Sequence, residues 1–220
     1  MPTTEVLVCP LSAGSDIGDD QNEAAKVLKE VGDRLSKTNG VQQIQFGTQI
    51  ENPGVFELLV NWESLDHHKS FMATEAYTPF LNRFLTIAGG KPTMVHADLE
   101  PAGDFSKAIS APVTEVATFY FGGDAPEGYL DGVLKFRNVI NSEGSDGFLG
   151  AAAGVTHEDT VKSPKDGHEG KAAVLAIGWE SVEKHMAFRE TKTFKDNIHY
   201  LRNGAKEVEM HHVQFMKFVE

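Results

Sequence analysis

His68 and His185 are the residues whose type and spacing best suit acid–base chemistry. An unperturbed imidazole titrates near neutral pH, and each of these histidines sits in a stretch that the chain writes twice. Trp62-Glu63-Ser64 is followed by His68, Phe71 and Thr74; Trp179-Glu180-Ser181 is followed by His185, Phe188 and Thr191, at a constant offset of 117 residues. Residues three apart share a helical face, so each His lies beside a Phe. Either His could serve as a general base or as a core residue satisfied by a backbone carbonyl. Trp62 and Trp179 offer flat surfaces for an aromatic ligand, or else plug the strand ends and anchor the following helices. His199, near Arg202 and unique to the second copy, reads equally as a ligand contact or a surface residue.

Other chemistries find less support. The doublets His67-His68 and His211-His212, and the single His96, match no metal-ligand spacing such as H-x-x-x-H, so no metal is expected unless the fold gathers distant ligands. "GFLGAAAG" (Gly147–Gly154) lacks the G-x-G-x-x-G order and is followed by a polar loop, which excludes a dinucleotide fingerprint. Cys9 is the single cysteine, so no internal disulfide forms, and its apolar strand suggests an inert thiol. The formal net charge of −12 repels nucleic acid and anionic membranes. No apolar run reaches the ~18 residues of a membrane span, and the first residues lack the basic start of a signal peptide. The expectation is a cytoplasmic protein.

These residues need elements to hold them. Apolar patterning predicts a strand at 5–11, an amphipathic helix with Ala24, Val27, Val31 and Leu35 on one face, strands at 41–50 and 55–63, a helix capped by Ser64, and a strand at 93–100. The second half repeats the order: strand 115–121, helix 127–144, strands 147–155 and 171–180, a helix capped by Ser181, and strand 209–220. Each half is a β-α-β-β-α-β unit, with domains at 1–100 and 113–220 and a linker at 101–112. The fold class is α+β, two ferredoxin-like repeats closing one intramolecular barrel, complete as a monomer, with an outer homodimer still open. The longer second-half loop from Thr156 to Gly170 reads as a mobile lid or a disordered segment. Gln43 and Gln45 give way to Gly150 and Ala152 on the strand face away from the helices, which predicts room for a ligand there.

Strand order, length and the doubled Trp-Glu-Ser helix, with Thr74–Tyr77 and Thr191–Phe194, resemble the dimeric α/β-barrel superfamily. The resemblance is greatest to its antibiotic-biosynthesis-monooxygenase branch in a tandem-repeat form, and it covers nearly the whole chain. It implies a small aromatic or polyketide-like ligand and oxygenation without a cofactor, with His68, His185 and Tyr77 as catalytic candidates. Trp62, Trp179, Phe71, Phe188 and His199 would line the ligand. Phe71 and Phe188 stand where many members of that family carry a histidine, which favours the alternative: a non-catalytic binding or stress-related barrel protein.

Overall fold

The computed structural model describes residues 2–218. The chain forms two compact units. One holds the chain up to His96 together with the stretch from Met216; the other is Ala97–Phe215.

The first unit runs β1 (Thr3–Pro10), α1 (Glu23–Ser36), β2 (Val41–Thr48), β3 (Val55–Trp62), α2 (Leu65–Met72), α3 (Tyr77–Leu85) and β4 (Thr93–Ala97). Its sheet has the order β2-β3-β1-β4, and β2 also pairs with β11 (Met216–Lys217) from the chain's end. The side chain of Asn22 caps α1 by accepting from the Ala24 N–H, one of the orphan donors of a helix start. Ala24, Val27, Leu28, Val31 and Leu35 then fall on one buried stripe. They pack on the alternate strand residues Leu7, Cys9, Phe56, Leu58, Val60 and Trp62.

The second unit repeats this order after an addition. Residues expected as a linker form the helix α4 (Ala102–Ile109). Phe105, Ala108 and Ile109 are buried at helical spacing, so an apolar stripe earns this segment a place on the sheet. There follow β5 (Val113–Tyr120), α5 (Tyr129–Glu143), β6 (Phe148–Val155), β7 (Val161–Lys162), β8 (Glu169–Gly170) and β9 (Ala172–Trp179). The unit closes with α6 (Val182–Glu190), α7 (Lys192–Asn197), α8 (His199–Arg202) and β10 (Glu207–Val213), giving the sheet order β10-β5-β9-β6. The expected final strand is thus divided: β10 belongs to this sheet and β11 to the other.

The segment expected to be a lid or disordered contains a small ordered hairpin of β7 and β8. Ser163 is buried and its Oγ accepts from the His168 N–H at 3.0 Å, while the Glu207 carboxylate accepts from the Lys165 N–H at 3.1 Å. Those bonds satisfy backbone that a mobile lid would leave to solvent.

The repeat extends to details of backbone. Both units carry a β-bulge opposite the end of the tryptophan strand, between Val41 and Gln43 and between Phe148 and Gly150. Each bulge follows a glycine of positive φ, Gly40 (87°) and Gly147 (81°). The carbonyl of each glycine accepts from the residue after the tryptophan, Glu63 N–H at 2.7 Å and Glu180 N–H at 2.8 Å. A Cβ on Gly40 would lie 2.4 Å from the His67 ring, and one on Gly147 2.7 Å from Lys184 Cβ. Glycine is therefore required twice, once for conformation and once for space.

Candidate functional site

Each unit holds the same buried cluster of a Glu, a Trp and two His. In the first, Trp62 ends β3 opposite Thr3, so Glu5, two residues along β1, is its same-face diagonal neighbour. Trp62 Nε1–H donates to Glu5 Oε2 at 2.9 Å. Ser64, with extended backbone, starts α2, and His68 in the first turn points back toward the strand end. Its ring stacks on Trp62, centroids 4.6 Å apart and planes 10° from parallel. His68 Nδ1 meets His96 Nε2, from β4, at 2.7 Å and lies 3.5 Å from Glu5 Oε2.

In the second unit Trp179 Nε1–H donates to Glu115 Oε2 at 3.0 Å. His185 stacks on Trp179 at 5.1 Å and 17°. His185 Nδ1 meets His212 Nε2 at 2.7 Å, and His185 Nε2 lies 3.3 Å from Glu115 Oε2. His212 stands directly opposite Glu115 across β10 and β5. One tautomer set serves both contacts: His212 donates to His185 Nδ1, and His185 Nε2–H faces the carboxylate. Such a carboxyl–imidazole–imidazole chain can pass a proton.

Burial dominates the carboxyl chemistry. It pushes Glu115 up from the ordinary 4.5 to about 7, against the pull of the Trp179 hydrogen bond and of the positive charge of Arg189. Glu5 is raised for the same reason, opposed by Trp62 and His96. Burial also raises Tyr77, helped by the negative charge of Glu5. Cys9, fully buried, is pushed up to about 11 and is unreactive at neutral pH.

A cavity of about 70 Å³ opens between sheet and helices of the second unit. Glu115, Trp179 and His185 form part of its wall, with Phe188, Phe194 and the guanidinium-bearing Arg189 and Arg202. At the matching positions of the first unit stand Met72 for Arg189 and Leu85 for Arg202. Leu7 stands where Ala117 lines the cavity, and Phe80, which packs edge-on to Phe71 at 5.3 Å, stands where the second copy has Asn197. In the other direction, the second unit puts Phe119 where the first has Cys9.

The candidates from sequence therefore separate. His185, Trp179 and Phe188 meet at the cavity. His68, Trp62, Phe71 and Tyr77 form the corresponding cluster of the first unit, with Tyr77 edge-on to Phe71 at 5.4 Å. His199 is exposed, with Nδ1 2.9 Å from the Asp196 carbonyl, and does not line the cavity. Gly150 and Ala152 lie on the far face of the sheet, where α4 rather than open space meets the strand. A Cβ on Gly150 would come within 3.1 Å of the Asp104 carbonyl oxygen. Small side chains there admit a helix.

Glu5, Glu115 and the histidine pairing escaped sequence reasoning. The signal was present, since "EVLV" and "EVAT" open matching strands at Glu5 and Glu115, and His96 and His212 recur on the fourth strands. A glutamate heading a strand reads as solvated until a tryptophan N–H is known to face it.

No family model matches the chain, and no curated protein does. Among solved structures, an anthrone oxidase-like protein superposes with a TM-score of 0.68 at 12% identity, covering 98% of this chain and 93% of the other. A candidate monooxygenase from Lactobacillus acidophilus NCFM covers the same shares, with a TM-score of 0.58 and 13% identity. Another from Fusobacterium nucleatum subsp. nucleatum gives 0.58 and 12%, covering 100% and 98%. The fold is that of these solved proteins. At such identities the likeness is one of fold, and it runs through both ferredoxin-like halves. Among the described residues, no helix is long and apolar enough to cross a membrane.

Proposed function

We propose that the chain is a cofactor-independent oxygenase of a small aromatic C–H acid, with its site in the second unit. The observation that carries this reading is Glu115. It is a buried carboxyl raised to about 7, on the wall of an aromatic cavity and in line with His185 and His212. A base poised near neutral pH suits proton abstraction next to an aryl carbonyl. The anthrone oxidase-like neighbour points to the same substrate chemistry.

In this scheme the Glu115 carboxylate takes a proton from the substrate methylene. Arg189 and Arg202 stabilise the enolate oxygen that develops. The carbanion transfers an electron to O2, and the radicals combine as a peroxide at carbon. The peroxide takes back the first proton from Glu115; Glu115 then removes the second C–H proton, the O–O bond breaks to leave the carbonyl, and that second proton joins the departing hydroxide as water. One methylene and one O2 give one carbonyl and one water.

Size selects the substrate. An apolar cavity of ~150 Å³ admits one benzene ring, about twice the volume found here. The helical wall must yield, and it is built to do so: α6, α7 and α8 are nine, six and four residues long. A one- or two-ring substrate is therefore favoured over a large polyketide.

The test is oxygen uptake with 2-tetralone and 2-indanone. One O2 per substrate is expected, with turnover rising through a pH near 7 and falling at least 100-fold in Glu115→Gln. Wild-type protein that consumes no oxygen with either compound contradicts the reading. The alternative is a cluster that only locks helix to sheet. It is favoured by one observation, that the first unit builds the same cluster with Leu7 and Phe80 where the second has Ala117 and Asn197.

A further inference from the structure

We propose that the first unit binds a divalent transition-metal ion of the zinc class through Glu5, His68 and His96. Three elements, β1, α2 and β4, each contribute one ligand atom, and the three atoms lie within 4.8 Å of one another. All three residues are buried, at 5%, 2% and 3% exposure. Sequence spacing concealed the set, because no two of its members share a helix or a strand.

The geometry is close to what such an ion requires. Bonds of ~2.0–2.1 Å in a tetrahedral site place ligand atoms roughly 3.3 Å apart. Here His68 Nδ1 stands 2.7 Å from His96 Nε2 and 3.5 Å from Glu5 Oε2. The third pair, Glu5 with His96, lies within 4.8 Å, and movement of the rings and the carboxylate closes the set on one ion. Two imidazole nitrogens at 2.7 Å share one proton, and an ion bound between them would move it to the far nitrogen of its ring, each imidazole staying neutral.

The surroundings act as a supporting shell. Trp62 Nε1–H donates to the same Glu5 Oε2 and its ring stacks on His68, so both ligands are oriented before an ion arrives. A divalent charge also compensates the carboxylate that burial otherwise penalises. Two imidazoles with one carboxylate select Zn2+, Co2+ or Fe2+ over Mg2+ or Ca2+, which prefer oxygen. The set supplies three protein ligands, the number found in many zinc sites.

The second unit supplies the contrast. There Glu115 faces His185 Nε2 while His212 faces Nδ1, on opposite sides of the ring. Its donors form a chain and do not converge on one point. The step held by Tyr77 in the first unit is Phe194 in the second.

The experiment titrates chelator-washed full-length protein with Co2+ at neutral pH. One equivalent is expected, with tetrahedral visible absorption and displacement by Zn2+. His96→Gln should weaken binding at least 100-fold, and His212→Gln should leave it unchanged. Should His96→Gln fail to fold, imidazole nitrogen NMR of the wild type decides: Zn2+ should shift His68 and His96 and spare His185 and His212. No binding at millimolar Co2+, binding that survives His96→Gln, or shifts confined to the second unit would overturn the proposal.

Discussion

The two units carry the same Glu–Trp–His–His cluster but surround it differently. In the first, Leu7, Tyr77 and Phe80 pack with the cluster's aromatic side chains. In the second, Ala117, Phe194 and Asn197 take those places, a cavity opens, and Arg189 and Arg202 join its wall. The shared residues tie the end of the third strand to the first strand, the fourth strand and the following helix. What the chain writes twice is architecture; what it writes once decides which copy has room for a ligand. A functional argument from the doubled residues alone would assign two sites of one kind.

The largest expected effect tests the shared part. Trp62→Ala and Trp179→Ala should each destabilise the protein by about 3–5 kcal/mol in denaturant unfolding, with the loss of the sole indole bond to a buried carboxyl adding to the cavity. Similar losses sharpen the comparison. A Trp179 variant that unfolds no more easily than wild type would break it.

Next in size is the pH dependence. Glu115 is raised from 4.5 to about 7 in the folded chain, so the folded state holds its proton more tightly than the unfolded state. Its stabilising effect is full below pH 4.5 and is lost as pH rises through 7. The linkage amounts to about 3 kcal/mol across that window. Glu5 acts in the same direction. Stability measured by urea unfolding should fall from pH 5 to 7.5 in wild type, and Glu115→Gln should flatten much of the slope.

Exchanging the residues that differ gives a directional result. Leu7→Ala opens a hole in a filled cluster and should cost about 2–5 kcal/mol. Ala117→Leu places the same side chain in the cavity and should cost under about 1.5 kcal/mol while abolishing oxygen uptake. The smallest effect lies in the helix that follows. Both Thr74 and Thr191 donate to the carbonyl three residues back, Phe71 and Phe188, but Thr191 alone of the two also caps α7 by accepting from the Phe194 N–H. Thr191→Ala should cost about 1 kcal/mol, and Thr74→Ala less, in thermal unfolding.

Much of this organisation was legible in the residues. Period-two and helical stripes marked β1 to β3, α1 and their second-half partners, and the constant offset marked the repeat. The expected linker at 101–112 holds α4, because Phe105, Ala108 and Ile109 form a helical stripe. The face of Gly150 and Ala152 was read correctly, but small residues do not say whether a ligand or a helix will approach. The clusters themselves depend on pairings between residues up to 97 positions apart in the chain, such as Glu115 with His212, and no local pattern encodes those.

The most direct test is site-resolved carbonyl-carbon NMR of Glu5 and Glu115 through a pH titration, with and without 1,4-naphthoquinone as a planar, non-turning-over ligand. The account requires Glu115 to titrate near 7 and to shift when the ligand is added, while Glu5 does not respond to the ligand. A Glu115 that titrates near 4.5, or a ligand response at Glu5 and none at Glu115, would contradict the claim that the second copy alone presents its cluster to an organic ligand.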